Sequence, residues 1–320
     1  VRSHYDGISI TLHDAPLPDM AIGLYDWAVV VDCLENRAWL ASHMRHARTR
    51  ENWPALLARL ASPAAPPQGE PFHLAAAPTA NLSYAAYAEA LARIQHYIRA
   101  GDCYQVNFAR RFAAPASGDP WPAYKRLRAL NPAPFGAYLE TPFASVLSTS
   151  PERFLRVREG HAETRPIKGT RPRGADPAKD ARLAEELAQS PKDRAENVMI
   201  VDLLRNDFGK ACRAVRVPRL FEVESYASVH HLVSTVTGEM LAGVHAADLL
   251  RACFPGGSIT GAPKKRAMEI IEELEASRRG LYCGSIAWLC YDGAMDSNIV
   301  IRTLVYAGGE IRFWAGGGIV

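Results

Sequence analysis

Apolar residues recur along the chain in two patterns, one at helical spacing and one at every second position. Between Ser83 and Gly101 they recur at the three- and four-residue spacing of a helix surface. Serine is a favoured N-cap and glycine a favoured residue after the C-cap, so this segment predicts one amphipathic helix. The same start signals predict further helices at Asp119-Pro120, Asp176-Pro177, Ser190-Pro191 and Pro263.

Alternating patterns predict strands in the other segments. Residues 21–40 predict a hairpin around Glu35-Asn36-Arg37, followed by a short helix from Asn52 to about Leu60. The last forty residues predict an antiparallel meander with turns at Asp292-Gly293 and Gly308-Gly309. Strands and helices are interleaved without a regular βαβ rhythm, which predicts an α+β fold with large antiparallel sheets.

A change in composition marks the candidate domain boundary. Residues 61–80 are rich in proline and alanine and carry few charges, which predicts a surface linker. We therefore expect one domain in residues 1–80, linker included, and a second in residues 81–320.

Composition and charge exclude several classes of function. The 37 lysine and arginine residues nearly balance the 34 acidic residues, leaving +3, so a nucleic-acid partner is not expected. No apolar run reaches the about 20 residues that a membrane span needs, and no signal peptide is recognisable. Six scattered cysteines without a C-x-x-C pair favour reduced thiols and a cytoplasmic location over a disulfide framework or zinc site.

Two segments could bind ions. The glycine-rich stretch from Gly256 to Lys265 suggests a phosphate loop, but Ala262 and Pro263 stand where that motif needs Lys and Ser or Thr. Asp193 and Glu196 are three residues apart and share one face of a predicted helix, an arrangement that suits a divalent cation. A solvated acidic face explains the same spacing.

Other residues are candidates for catalysis or anion binding. Lys168 lies in an apolar, strand-like segment, where a lowered pKa would make it a nucleophile, although surface lysines are commoner. Glu152 is a candidate general acid or an ion-pair partner of Arg153. Arg302 and the Gly316–Gly318 run suggest a carboxylate pocket, or else an exposed strand edge and a flexible loop.

Eight segments occur in the order found in chorismate-utilising enzymes, which this chain resembles from about Leu91 to Val320. They are TSPERF, PIKGT, DRAENVMIVDLLRND, HHLVS, FPGGSITGAPK, LYCGSIAW, NIVIRTL and AGGGIV. Water-using members carry a lysine where this chain has Gln105, so the resemblance implies an ammonia-using enzyme. Members that aminate chorismate at C4 read PIKGT, and anthranilate synthases usually read PIAGT; Lys168 therefore selects C4 amination.

The resemblance implies a fold and a set of catalytic residues. The fold is a sandwich of two large, mostly antiparallel sheets with peripheral helices and a site between them. Lys168 corresponds to the lysine that attacks C2 of chorismate while the C4 hydroxyl leaves. Glu152 corresponds to the acid that protonates this hydroxyl, and His231 to a histidine near it.

The resemblance also implies the ligands of this site. Glu196 would hold Mg²⁺ directly, and Asp193 would support it indirectly or through a water. The ring carboxylate would contact Gly169 and Thr170. The enolpyruvyl carboxylate would contact a second set of residues, namely Tyr282, Arg302, Gly316, Gly317 and Gly318. A tryptophan pocket known in relatives maps onto Pro134, Phe135 and Gly136.

Family chains extend beyond both ends of this sequence. The resemblance therefore implies that residues 1–80 include a remnant of an N-terminal lobe, and that the catalytic domain, residues 81–320, lacks a C-terminal segment with another glutamate ligand. Ammonia would come from a separate glutamine amidotransferase. Two alternatives remain open: the large subunit of anthranilate synthase, and a non-catalytic binding or assembly protein with the same fold.

Overall fold

The structure, a computed structural model, describes residues 17–62 and 69–320. These residues form two compact units, one within Pro18–Gly69 and the other from Glu70 to Val320. The first unit contains the predicted hairpin, formed by β1 (Trp27–Asp32) and β2 (Arg37–Ser42), and the helix α1 (Ala47–Ala61). The division into domains at residue 80 remains a prediction.

The predicted start of α1 at Asn52 is wrong, because Asn52 lies inside the helix. The carboxylate of Asp26 accepts hydrogen bonds from the backbone N–H groups of Arg45 and His46, at 3.2 and 3.1 Å. An acidic side chain from before the hairpin thus holds the chain where the helix begins. Such a distant partner leaves no signal in the local sequence.

The second unit contains two sheets, and every strand pair in its described residues is antiparallel. Sheet I consists of β8 (Arg153–Arg158), β9 (His161–Thr164), β10 (Ile167–Pro172), β11 (Cys212–Ser225), β12 (Val229–Met240), β14 (Ala287–Leu289) and β15 (Met295–Asn298). Sheet II consists of β3 (His73–Leu74), β4 (Thr79–Ala80), β5 (Gln105–Ser117), β6 (Ala137–Glu140), β7 (Ser145–Ser148), β13 (Gly261–Ala262), β16 (Thr303–Ala307) and β17 (Glu310–Ile319). The predicted α+β class with large antiparallel sheets is confirmed.

The helices in the described residues of this unit are α2 (Tyr84–Ala100), α3 (Pro120–Leu130), α4 (Pro177–Gln189), α5 (Pro191–Phe208), α6 (Ala246–Cys253) and α7 (Lys264–Leu274). Five of these six begin where the sequence predicts, and the sixth, α6, was not predicted. The side chains of Ser83, Asp119, Asp176 and Ser190 each accept a backbone N–H bond from the first turn, as expected of N-caps. No helix in the described residues is long and apolar enough to span a membrane.

The predicted linker from residue 61 to 80 is only partly described, since residues 63–68 lie outside the described residues. Its last part contains β3 and β4, which pair with β5. Where a surface connection is expected from composition, the structure thus has two short edge strands.

The predicted C-terminal meander is wrong, because its strands belong to different sheets. The hairpin β14–β15 lies in sheet I, whereas β16 and β17 lie in sheet II. Between them, residues 299–302 lead the chain from one sheet to the other, and Arg302 has a φ of 50°. The apolar run around this arginine therefore contains a crossing and not one continuous strand.

A second connection runs beside this crossing. Residues 149–152 link β7 in sheet II to β8 in sheet I, and the two connections are joined by hydrogen bonds. The N–H of Thr149 donates to the Arg302 carbonyl at 3.0 Å, and the N–H of Ile299 donates to the Glu152 carbonyl at 3.1 Å. We call residues 149–152 and 299–302 the paired crossing; it places Glu152 and Arg302 between the sheets.

Two apolar clusters cover opposite faces of sheet II at β5. In one, Ile200, Leu204 and Phe208 of α5 pack with Leu155 and Val236 of sheet I, and further members include Ala109 of β5. In the other, α2 and α7 pack against β5 through Ile94, Ile270, Val106 and Phe108. Because neighbouring residues of a strand point to opposite faces, Gln105, Asn107 and Ala109 face sheet I.

A buried ion pair joins three helices of this unit. Lys264 at the start of α7 donates to the Asp207 carboxylate on α5 at 2.5 Å and to the Cys253 carbonyl on α6 at 2.9 Å. Both charged side chains are under 10% exposed. Asp207 also contacts the half-exposed Lys210 at 2.8 Å. Removing one partner would leave a buried charge incompletely compensated.

We expect Lys264→Met to lower the free energy of unfolding by about 3 kcal/mol. As a control, Arg205→Met breaks an exposed pair with Asp202 on α5 and should cost less than about 1 kcal/mol. Denaturant-induced unfolding measures both. Equal losses in the two variants would contradict this account of the buried pair.

Candidate active site

Glu152 of the paired crossing and Lys168 of β10 both contact Ser258. Glu152 is 6% exposed, and burial raises the pKa of its carboxyl above the ordinary value, opposed by a hydrogen bond from Ser258 and by the charge of Lys168. Burial lowers the pKa of Lys168, opposed by the charges of Glu152 and Glu196. Desolvation therefore favours a protonated acid beside a neutral amine.

Ser258 is a site residue that the sequence analysis did not single out. It lies in the short 3₁₀ turn Gly257–Ile259, between α6 and α7. Its carbonyl accepts a hydrogen bond from Lys168 Nζ at 3.0 Å, and its side chain bonds to Glu152. The motif FPGGSITGAPK could have indicated Ser258 as a site residue, because glycines around a polar residue permit close backbone approach.

A side chain at either glycine before Ser258 would have to displace a neighbouring apolar side chain. A Cβ at Gly256 would lie 2.6 Å from Ile299, and one at Gly257 would lie 2.5 Å from Leu203. Both glycines also line a small cavity beside Glu152 and Ser258. The glycine-rich segment therefore contributes to the surroundings of Lys168 and Glu152. It does not match a phosphate-loop motif, and this role does not require one.

His231 on β12 lies on the same sheet as Lys168. Its Nδ1 is 2.9 Å from Thr170 Oγ1, and its ring contacts Tyr226. Burial, together with the positive charge of Arg302, lowers the pKa of His231 to about 4. The imidazole is therefore neutral near pH 7. Arg302 is exposed and precedes β16, so its predicted place within a strand is corrected.

The two candidate metal ligands on α5 have different surroundings. Asp193 is bound by Arg171 at 3.1 Å and packs against Gly169, whose φ is 86°. Glu196 is 3.9 Å from Lys192 and faces the charge of Lys168. The described residues contain no cluster of three or more His, Cys, Asp or Glu side chains placed to hold a metal. Glu196 alone suits Mg²⁺, which accepts one or two carboxylates together with water and substrate oxygens.

Gly316, Gly317 and Gly318 do not form the predicted loop, because β17 continues through them and pairs with β5. The N–H groups of Asn107 and Ala109 bond to partners away from β17. In an antiparallel ladder the alternate residue, Phe108, then bonds to Gly317. The N–H groups of Gly316 and Gly318 point away from β5, and these two alone remain candidate anion donors.

Gln105 and Tyr282, two further predicted site residues, are both buried. Gln105 lies at the start of β5, and neither polar atom of its amide has a partner among the described residues. The ring of Tyr282 is parallel to that of Trp314 at 5.8 Å, and Arg279 lies 5.7 Å from it. Burial raises the pKa of the Tyr282 phenol, which therefore stays protonated at neutral pH.

The segment Pro134-Phe135-Gly136 is hydrogen-bonded to the paired crossing and to the end of β15. The N–H of Phe135 donates to the Ser150 carbonyl at 3.2 Å, and the Phe135 carbonyl accepts from Asn298 at 2.9 Å. These contacts do not test tryptophan binding, so the tryptophan pocket remains a prediction.

Together, the described contacts link Glu152, Lys168 and Ser258 into one group, and Thr170, His231 and Arg302 into a second. The first offers a proton donor and an amine nucleophile. The second offers a positive charge and a neutral imidazole. This combination can expel a hydroxyl group from an anionic substrate while a lysine attacks elsewhere on it.

The lowered pKa of His231 makes stability depend on pH. Between its ordinary value of 6.5 and about 4, the unfolded state binds more protons here than the folded state, so stability falls as pH falls through this window. We expect His231→Gln to remove up to about 3 kcal/mol of this dependence. Unfolding free energies at pH 7 and pH 4.5 measure it, with the exposed His161→Gln as control. An unchanged dependence would contradict the assignment.

Comparison with known proteins identifies relatives of this site and fold. Residues 1–320 match the family described as chorismate binding enzyme. The chain is 53% identical to aminodeoxychorismate synthase component 1 of Klebsiella aerogenes, over 96% of this chain and 67% of that protein. It is 44% identical to anthranilate synthase component 1 of Thermus thermophilus, over 98% and 68%.

Among solved structures, anthranilate synthase component I of Streptococcus pneumoniae matches with a TM-score of 0.82 and 32% identity, covering 92% of this chain and 68% of that one. The chain therefore spans about two thirds of the length of these relatives. The chain belongs to the chorismate binding enzyme family.

Proposed function

We propose that this chain aminates chorismate at C4 with ammonia and forms 4-amino-4-deoxychorismate, the precursor of p-aminobenzoate and folate. The observation that carries the proposal is the partly buried Lys168, whose Nζ donates to the Ser258 carbonyl at 3.0 Å and whose pKa is lowered by burial, beside the buried Glu152, whose pKa is raised by burial. The 53% identity to an aminodeoxychorismate synthase component supports it.

The reaction has two displacement steps. Lys168 Nζ bonds to C2 of the ring, both ring double bonds shift, and the C4–oxygen bond breaks as Glu152 gives its proton to the leaving hydroxyl, which departs as water. Ammonia then bonds to C4, both double bonds shift back, and the bond between C2 and Lys168 breaks. The new ammonium group returns one proton to the Glu152 carboxylate, which leaves the neutral amine.

The surrounding residues bind and orient the substrate. The N–H groups of Gly316 and Gly318, together with Tyr282 and Arg302, would hold the enolpyruvyl carboxylate. His231 stays neutral and therefore accepts or donates one hydrogen bond near the C4 hydroxyl without adding charge. Gly169 and Thr170 would contact the ring carboxylate.

Mg²⁺ would be held by Glu196 directly and by Asp193 through a water, because Arg171 already binds the Asp193 carboxylate. When bound, the ion offsets the negative charge of the ring carboxylate. Mg²⁺ keeps several water or substrate oxygens beside one or two carboxylates, which suits an ion shared with substrate.

A glutamine amidotransferase partner would supply the ammonia, since the relative's name, component 1, implies another component. The six cysteines are free, which supports a reducing, cytoplasmic location. Tryptophan binding at Pro134, Phe135 and Gly136 remains part of the proposal.

Amination at C2, as in anthranilate synthases, is the second candidate function, because a relative of that name is 44% identical. Lys168 distinguishes the two: a nucleophile at C2 blocks that carbon and directs ammonia to C4. Anthranilate as the product of the wild-type protein would overturn the proposal.

Lys168→Ala should reduce C4 amination by several orders of magnitude while leaving chorismate binding nearly unchanged, because the carboxylate contacts lie elsewhere. Lys265→Ala, an exposed position on α7, is the matched control and should behave as wild type. Product analysis with chorismate, Mg²⁺ and ammonium salt measures both. Full C4-aminating activity without Lys168 would exclude a covalent role.

Glu196→Gln keeps the shape of the side chain and removes its charge, so we expect the Mg²⁺ concentration for half-maximal activity to rise at least about tenfold. Asp202→Asn removes a charge at an exposed position on the same helix and should not change the Mg²⁺ requirement. Titration of activity with Mg²⁺ measures the difference. Equal requirements would leave Glu196 without a role in metal binding.

A further inference from the structure

The amide of Gln105 is a buried polar group that the contacts in the described part of the chain leave unexplained. The side chain is 0% exposed, and neither its Nε2 nor its Oε1 has a hydrogen-bond partner there. An unsatisfied buried polar group costs about 1 to 3 kcal/mol, so such groups in native proteins need an explanation. Because Gln105 faces sheet I, the amide points toward the side of sheet II where the site lies.

Gly318 lies against this amide. A Cβ built at Gly318 would be 2.8 Å from Nε2 and 3.1 Å from Cδ of Gln105, closer than real Cβ contacts allow. The two residues are diagonal neighbours on the β5–β17 ladder, because Gly318 pairs with Asn107. The amide can therefore keep its position only if residue 318 has no side chain.

The other two glycines of the run behave differently. At Gly317 an added Cβ meets nothing within 4 Å, so alanine fits there. At Gly316 it would lie 2.4 Å from the carbonyl oxygen of Phe108, so alanine there would disturb the backbone of β5. Among the three, only Gly318 opposes the movable end of a side chain, and alanine there displaces the amide and little else.

We propose that Gly318 is a positioning residue for Gln105. Because Gly318 has no side chain, it leaves room for the Gln105 amide to lie toward the nitrogen nucleophile with both polar atoms free. Ammonia both donates and accepts hydrogen bonds, which matches an amide that offers one acceptor and one donor. The inference rests on the proposed function for the identity of this nucleophile. The positioning itself rests on the contact between Gly318 and Gln105.

Steady-state kinetics of the full-length protein with ammonium salt as the nitrogen source test the proposal. Gly318→Ala should raise KM for ammonium about tenfold, because one hydrogen bond to the nucleophile is lost, while KM for chorismate changes less than twofold. Gly317→Ala is the matched control and should change neither constant by more than twofold. If Gly318→Ala acts only on the chorismate carboxylate, KM for chorismate rises instead, and the proposal is overturned.

A double-mutant cycle shows whether the effect passes through the amide. In a Gln105→Ala background the clash is absent, so Gly318→Ala should have no further effect on KM for ammonium. Additive effects in the double variant would overturn the proposal. Thermal unfolding of each variant verifies that all are folded under the assay conditions.

Crystal structures of wild type, Gly318→Ala and Gly317→Ala give a readout that needs no activity. The Gln105 amide should be displaced in Gly318→Ala and unchanged in Gly317→Ala; an unmoved amide in the first variant would overturn the positioning role. A wild-type protein that does not aminate C4 would refute the proposed function, and the crystal structures would still decide whether Gly318 positions Gln105.

Discussion

The paired crossing, in which residues 149–152 and 299–302 pass together between the sheets, is the constraint on which the site depends. Backbone hydrogen bonds between the two connections, at 3.0 and 3.1 Å, prevent either from shifting alone. Each leads from a strand of one sheet to a strand of the other. Glu152 and Arg302, which belong to these connections, are thus positioned by the backbone hydrogen bonds between them.

The chemistry of the site follows from burial more than from charge. Glu152 and Lys168 attract each other electrostatically, and this attraction opposes both pKa shifts. Desolvation is nevertheless the largest cause for each group, so the neutral forms are favoured. Gly256 and Gly257 pack closely against the apolar side chains of Ile299 and Leu203 beside this site. The two pKa shifts favour Glu152 as a proton donor and Lys168 as a nucleophile.

Local signals predicted those elements whose ends depend on adjacent residues. The N-caps at Ser83 and Ser190 are examples, because the capping oxygen and the bonded N–H are three residues apart. The start of α1 was missed because the partner, Asp26, lies far away in sequence. The crossing at Arg302 was missed because an apolar strand and an apolar connection between sheets have the same composition.

The candidate site was predicted mostly through family motifs, since spacing alone left Lys168 and Glu152 open to ordinary explanations. The role of Ser258 was not predicted, because its carbonyl, a group that every residue carries, makes the contact to Lys168. The loss of Gly317 as a candidate anion donor was also not predictable, because it too depends on a backbone group. Only the register of β5 and β17 shows which N–H groups are already bonded.

The central claim is that Lys168 is a free amine that attacks the substrate. Intact-mass analysis after exposure to chorismate and Mg²⁺ without ammonia, followed by peptide mapping, tests it most directly. The account predicts a mass increase equal to chorismate less one water, located on Lys168. A protein that turns over chorismate when ammonia is added, yet carries no adduct on Lys168 in its absence, would contradict it.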